Sequence, residues 1–338
     1  MKHIRLIDAT LRDGMHAISH SLSAEQMAAI AKRLDEAGVT TVEIGHGDGI
    51  GGSSLQYGLA KSSDREYFAA VSKVLKNCKM DVLLIPGIGT IEDLKVAMEY
   101  NVHTVRVATH VTEADVAEQH INFAKKHGLE AIGFLMMSHM APVEKVVEQA
   151  KLMESYGSDV VYVTDSGGAM VPEEVKAKIS AVKAAVNVPV AFHAHNNLGL
   201  AVGNTLVAIQ AGATVVDGTV RGLGAGAGNT QLEVLAAVLQ KMGYETGIDL
   251  YKLMDVGQEV IDPIMHRPQV ISNDALVIGY AGAYGSFLLH ARRAAEKFGV
   301  DSRDILMELG RRKTVGGQED LIIDVAIELS KQRRQGVL

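Results

Sequence analysis

Eight times before residue 242, a short β-branched run is followed by an amphipathic segment rich in Ala, Glu and Lys. The strand patterns fall at 4–7, 41–44, 81–85, 104–108, 130–136, 160–164, 189–193 and 214–217. Helical patterns follow at 23–37, 64–77, 91–100, 113–127, 142–156 and 172–186, and the last begins near 229. Nearly continuous apolar strands are buried on both faces, which implies a parallel sheet covered by helices. Eight such units spread over roughly 250 residues are what a closed (β/α)8 TIM barrel requires. A doubly wound open sheet is the alternative, but no G-x-G-x-x-G turn follows the first strand. The α/β expectation is therefore a barrel over residues 1–247. The remainder, 248–338, forms a mostly helical appendage with patterns at 274–290 (continuing through Arg292) and 302–309.

The core of such a chain must be aliphatic, since 47% of residues are hydrophobic and none is tryptophan. A formal net charge of −7, with Lys and Arg scattered among Asp and Glu, argues against nucleic acid or an anionic membrane as partner. One cysteine, Cys78, excludes a disulfide framework and suits a reducing compartment. Met1 to Arg5 lead straight into a strand pattern without a signal-peptide core, and no apolar run is long enough to span a bilayer. The expected location is the cytoplasm.

Barrel chemistry collects where strands end. The first strand exits into Thr10-Leu11-Arg12-Asp13, the second into Gly45-His46-Gly47-Asp48, the fourth into Thr109-His110 and the fifth into Ser138-His139. The sixth exits into Asp165-Ser166, and the seventh carries His193 and His195. Residues two apart on a strand share a face, so both imidazoles point the same way. One Asp and two His make a donor set for a divalent metal with open positions, and Arg12 places a fixed cation beside it. That combination can hold an enolate. His46, His110 and His139 are weaker candidates, as supporting or loop-packing groups. The run Gly222 to Asn229 is glycine-rich before a helix but lacks the Lys-Ser/Thr of a phosphate loop, so it fits tight rim turns equally well. No lysine occupies a clear rim position, which disfavours a Schiff-base mechanism.

D-A-T-L-R-D-G after the first strand, H-A-H-N-N after the seventh and G-A-G-N after the eighth resemble the DRE-type metallolyases. R-D-G-M-H, EIGHGDGIGGSS (43–54), LMMSHM (135–140), GYAGAYGSF (279–287) and VGGQED (315–320) resemble the 4-hydroxy-2-oxovalerate aldolase branch, nearly end to end. The resemblance implies Asp13, His193 and His195 as Mn²⁺ ligands, with other divalent ions as substitutes. The keto acid would chelate that metal, its binding surface including Arg12, Asp13 and His193. Arg12 would stabilise the enolate and His16 would accept the C4 hydroxyl proton. Ser166 would hydrogen-bond the substrate and Tyr284 would cover the site from the appendage. Leu83 and Ile85 would pack against the aldehyde's alkyl end. The implied activity is cleavage of 4-hydroxy-2-oxopentanoate to pyruvate and acetaldehyde in the meta-cleavage catabolism of aromatic compounds.

The lyase branch that acts on hydroxymethylglutaryl-CoA uses a cysteine in its glycine loop, whereas Cys78 precedes the third strand. The carboxyltransferase branch places a metal-binding lysine where this chain has Thr164. An acyl-CoA condensing synthase, which shares the metal and enolate logic, is the remaining enzymatic alternative. Aldolases of this kind work with a CoA-acylating acetaldehyde dehydrogenase, so the appendage is expected to dock such a partner and pass acetaldehyde to it.

Overall fold

The computed structural model describes residues 3–335; residues 1–2 and 336–338, the outer ends of the two expected domains, lie outside the described residues. In chain order the barrel comprises β1 (Arg5–Asp8), α1 (Ala24–Glu36), β2 (Thr41–Glu43), α2 (Asp64–Val71), β3 (Lys79–Leu84), α3 (Ile91–Met98), β4 (Val102–His110) and α4 (Glu118–Lys126). It continues with β5 (Glu130–Met136), α5 (Val143–Ser155), β6 (Val160–Asp165), α6 (Pro172–Ala185), β7 (Val190–Ala194), α7 (Ala201–Gln210), β8 (Val215–Gly218) and α8 (Leu232–Lys241). The strands are parallel and close in sequence order, β8 pairing back onto β1 through Arg5–Val215 to Asp8–Gly218. The expected barrel is present.

Local chemistry explains where helices begin. Ser23, Ser63 and Thr90 each accept a hydrogen bond from the backbone three residues on, while Gln26, Glu66 and Asp93 return the contact. It also explains the differences from the sequence patterns. α2 ends at Val71, well short of 77, because the Asp35 carboxylate accepts from the N–H groups of Lys76 (2.7 Å), Asn77 (3.1 Å) and Cys78 (2.8 Å), drawing that segment into a turn. The fourth helix opens as a 3₁₀ turn, Ala114–Ala117.

Two apolar layers hold the barrel. Between strands and helices, Leu6, Val42, Val82, Val105, Val161 and Phe192 pack against α1 to α8 side chains such as Met27, Leu94 and Leu235. Inside the lumen Ile7, Leu83, Ile132, Phe134, Tyr162 and Val215 form a second cluster. Every one of these is almost wholly excluded from solvent, the burial that drives closure.

After α8 the chain forms α9 (Leu250–Asp255), α10 (Asn273–Ala281), α11 (Phe287–Phe298), α12 (Ser302–Arg311) and α13 (Asp320–Arg334). Ile248, Leu253, Val256 and Ile261 belong to the barrel's core, so residues 250–264 pack on the barrel, past the expected division at 247/248. A separate core of Ile278, Phe287, Leu306, Leu309, Ile322 and Val325 holds α10 to α13 together. The helix expected at 274–290 is two helices. Gly282 adopts φ +65°, a left-handed cap, and the Ala283 N–H reaches back to the Ile278 carbonyl at 3.0 Å, which ends α10. The break matters because residues 283–286 turn into the barrel mouth.

Candidate active site

At the C-terminal end of the strands a cavity with about 520 Å³ of empty space, partly open to solvent, is lined by Arg12, Asp13, His16, Leu83, Ile85, Ser166, His193, His195 and Tyr284. The nine residues that the resemblance implied for the site therefore meet in one place, whereas the weaker candidates His46, His110 and His139 do not line it. Phe134, Met136, Gly47, Asp48, Ala225, Gly285 and Ser286 complete the wall.

Asp13, His193 and His195 converge with one donor atom each, all within 4.8 Å of one another, and all three are buried. The Asp13 Oδ2 oxygen lies 3.8 Å from Nε2 of both histidines. The His193 Nδ1–H donates to Asp217 at 2.8 Å, which fixes the tautomer and leaves the Nε2 lone pair aimed at Asp13. Burial alone would raise the Asp13 pKa, but Arg12, His195 and His193 outweigh it and hold the carboxyl well below its ordinary range. Burial pushes His195 down to about 4, so its ring is neutral. His193 moves upward because Asp217 overcomes the desolvation cost. A carboxylate and two imidazole nitrogens directed at one point fit a divalent ion with positions left for a chelating substrate.

Beneath this cluster runs a closed ring of charges. Arg12 donates from Nη1 to Asp13 (2.9 Å) and from Nε to Glu43 (2.8 Å). Glu43 lies 3.6 Å from Nε of Arg106, which donates to Asp81 (2.8 Å) and, from Nη1, to Asp217 (2.6 Å). Asp217 holds His193, which returns to Asp13. Arg106 is fully buried, its guanidinium 4.9 Å from the Tyr162 ring centre. The ring ties Asp13, His193 and the Arg12 guanidinium to one rigid floor. Glu43, Arg106 and Asp217 were not anticipated; each stands alone in an apolar strand pattern, and only the barrel's register brings them together. Asn229 also escaped notice. Its Nδ2 donates to Asp13 at 3.0 Å, and its Oδ1 is buried without a partner. The signal was the Asn ending the glycine run.

The remaining candidates occupy the walls. Ser166 accepts from the Met137 N–H at 3.0 Å and has the Thr164 hydroxyl 3.4 Å away, so its own hydrogen can turn to Thr164 or into the cavity. Tyr284 descends from the turn between α10 and α11, its ring edge-on to Phe287 at 5.4 Å. A Cβ on Gly316 would come within 3.0 Å of that ring, so the 315–320 segment backs it closely. Burial, reinforced by Asp48, keeps the phenol protonated above its usual range. His139 links barrel and appendage through Nε2, 3.1 Å from the Gly282 carbonyl oxygen. His46, by contrast, supports the loop: it accepts from the Asp48 N–H (3.1 Å) and contacts the Gly58 carbonyl oxygen (3.0 Å). His110 bonds its neighbour Thr112. Cys78, immediately before β3, sits at the far end of the barrel from this chemistry.

Residues 3–260 match the HMGL-like family, and residues 269–331 match the DmpG-like communication domain. The chain is 68% identical over 334 residues to the 4-hydroxy-2-oxovalerate aldolase of Carboxydothermus hydrogenoformans, covering 99% of both chains. It is 61% identical to the protein of that name from Pelotomaculum thermopropionicum, covering 99% of this chain and 98% of the relative. The carboxyl transferase domain of Rhizobium etli pyruvate carboxylase shares the fold, with a TM-score of 0.82 at 16% identity over 98% of this chain and 61% of that one. The chain thus belongs to the HMGL-like family and, within it, stands among the 4-hydroxy-2-oxovalerate aldolases, which are carbon–carbon lyases.

Proposed function

We propose that the protein is a divalent-metal-dependent aldolase that cleaves 4-hydroxy-2-oxopentanoate to pyruvate and acetaldehyde, as a step in aromatic ring-cleavage catabolism. The observation that carries the metal dependence is the convergence of Asp13, His193 and His195 beside Arg12. These three residues would hold the ion, with Mn²⁺ as the working assignment. When bound, the metal supplies a Lewis acid that draws electron density from the substrate's 2-oxo and carboxylate groups.

His16 accepts the proton of the C4 hydroxyl, directly or through one water. The C3–C4 bond then breaks, its electron pair moving to the C2 oxygen as the enolate forms, and the aldehyde carbonyl is left at C4. Arg12, fixed by Glu43 and Asp13, faces that oxygen and stabilises the charge that develops there. Protonation at C3 completes pyruvate. Ser166 donates to the substrate, Leu83 and Ile85 pack against the methyl end, and Tyr284 covers the cavity.

The barrel carries the chemistry in this reading, and the helical region from 248 to 338 docks a CoA-acylating acetaldehyde dehydrogenase. Support comes from the communication-domain match and from the apolar side chains that region exposes, including Ile271, Leu276, Tyr280 and Leu289. Among the described residues no helix is long and apolar enough to cross a membrane. A single buried thiol remote from the site agrees with a cytoplasmic setting.

The test is pyruvate release from 4-hydroxy-2-oxopentanoate, followed with lactate dehydrogenase and NADH, after chelation and again after Mn²⁺ is restored. Full activity in chelator, or in His195→Ala, refutes the metal assignment. Condensation of acetyl-CoA with a 2-oxo acid, with the hydroxyketo acid inert, would make the protein a synthase instead. Co-expression with a candidate dehydrogenase and failure to co-purify would sink the docking proposal.

A further inference from the structure

A second group of metal donors stands beside the first and shares none of its residues. His16, His20 and Asp48 each offer one donor atom, and those atoms lie within 4.8 Å of one another. His20 is 6% exposed and Asp48 8%. The Nε2 nitrogen of His20 is buried with no hydrogen-bond partner, an expensive state for a ring nitrogen.

The chain is shaped to assemble this group. Ser19 and His20 both take left-handed backbone conformations, φ 53° and 55°, which side-chain-bearing residues adopt at a cost. The His20 ring stacks flat on His46, with centroids 3.7 Å apart and planes 2° from parallel, and meets the His16 ring edge-on at 5.3 Å. His46 has both nitrogens engaged, to the Asp48 N–H and the Gly58 carbonyl, so it braces His20 and offers no lone pair. Any side chain at residue 47 would collide with the His16 ring, a Cβ there lying 2.5 Å from Cε1, so Gly47 lets that ring rest on the loop that carries Asp48.

We infer that His16, His20 and Asp48 form a second divalent-cation site, one that suits zinc-like ions, whose occupancy shuts the enzyme off. Two imidazoles and one carboxylate leave a fourth tetrahedral position for water, the arrangement zinc takes, whereas magnesium demands more oxygen donors. All three residues also line the wide groove outside the cavity, so an ion reaches them without passing Asp13, His193 and His195. Ligation takes the His16 lone pair, which then cannot accept the substrate proton. The inhibitory consequence rests on the reading of His16 as base; the site itself does not.

The experiment is Zn²⁺ stoichiometry by equilibrium dialysis on the full-length protein, comparing wild type, His195→Ala and His20→Asn. Wild type binds two equivalents, His195→Ala keeps the one held by His16, His20 and Asp48, and His20→Asn keeps only the other. If His20→Asn binds as many equivalents as wild type, the proposal is overturned. If instead His195→Ala matches wild type while His20→Asn loses one, the first metal assignment fails and this one stands. In Mn²⁺-loaded enzyme, Zn²⁺ should suppress pyruvate formation, with the half-inhibiting concentration at least tenfold higher in His20→Asn relative to that variant's own activity. Equal inhibition refutes the regulatory role. Should His20→Asn not fold, Asp48→Asn replaces it, with unchanged stoichiometry again overturning the site.

Discussion

The floor and the roof of the cavity are built on opposite principles. Asp13, Arg12, Glu43, Arg106, Asp217 and His193 come from the barrel and are locked by short, charge-assisted hydrogen bonds in a dry interior. Tyr284 comes from the helical region and is held by ring contacts and close backbone approach, its turn tied to the barrel through His139. The charged groups that, in the proposed reaction, would meet a metal and an oxyanion sit where nothing can shift independently. The group that covers them hangs from a four-residue turn. Geometry is assigned to one region and access to the other.

Breaking the floor at its donors should have the largest effect. His193→Ala or Asp13→Ala is expected to lower pyruvate release by at least about 10³-fold, about 4 kcal/mol of transition-state stabilisation, with loss of bound metal by elemental analysis. Next comes the support beneath. Arg106→Met strips Asp81 of its cation and leaves Glu43 and Asp217 with only Arg12 and His193, and removing one member of a buried pair costs about 3–5 kcal/mol in denaturant unfolding. Asp217→Asn, a gentler cut, should weaken metal affinity by about 10- to 100-fold; unchanged affinity would show that the ring is mere packing.

The roof should answer differently. Tyr284→Phe is expected to reduce kcat/KM about tenfold, the worth of one hydrogen bond, with metal affinity unmoved. A matching loss of metal would erase the distinction between the two regions.

A further effect, on stability, concerns the end of β1. Burial pushes the carboxyl of Asp8, at the end of β1, up to about 7 against its ordinary 3.8, although Thr10 donates to it at 2.7 Å. Between those values the folded protein keeps a proton that the unfolded chain has released, so this group's contribution to stability falls as pH rises through that window. The Tm of wild type minus that of Asp8→Asn should therefore decline from pH 4 to 8, and a rising difference would reverse the assignment.

Most of the fold was legible because strand and helix periods are distinct and each unit repeats them. The donors were legible for a similar local reason: H-x-H on a strand declares a shared face. What lay hidden depended on three-dimensional register. Glu43, Arg106 and Asp217 come from β2, β4 and β8, and nothing within any one strand shows that they touch. The break at Gly282 was masked because apolar residues continue on both sides of it at helical spacing. Asn229 was obscured by the glycines before it, which drew attention to backbone turns and away from its amide.

Gly282 has one more consequence. Leu276 and Tyr280, one helical turn apart on α10, lie open on the outer surface, and one further step of four residues brings Tyr284, which lines the cavity. The left-handed glycine swings the chain between them, so outside and inside are two ends of one short lever. The path from the α10 surface to the phenol runs through this turn and does not cross the barrel.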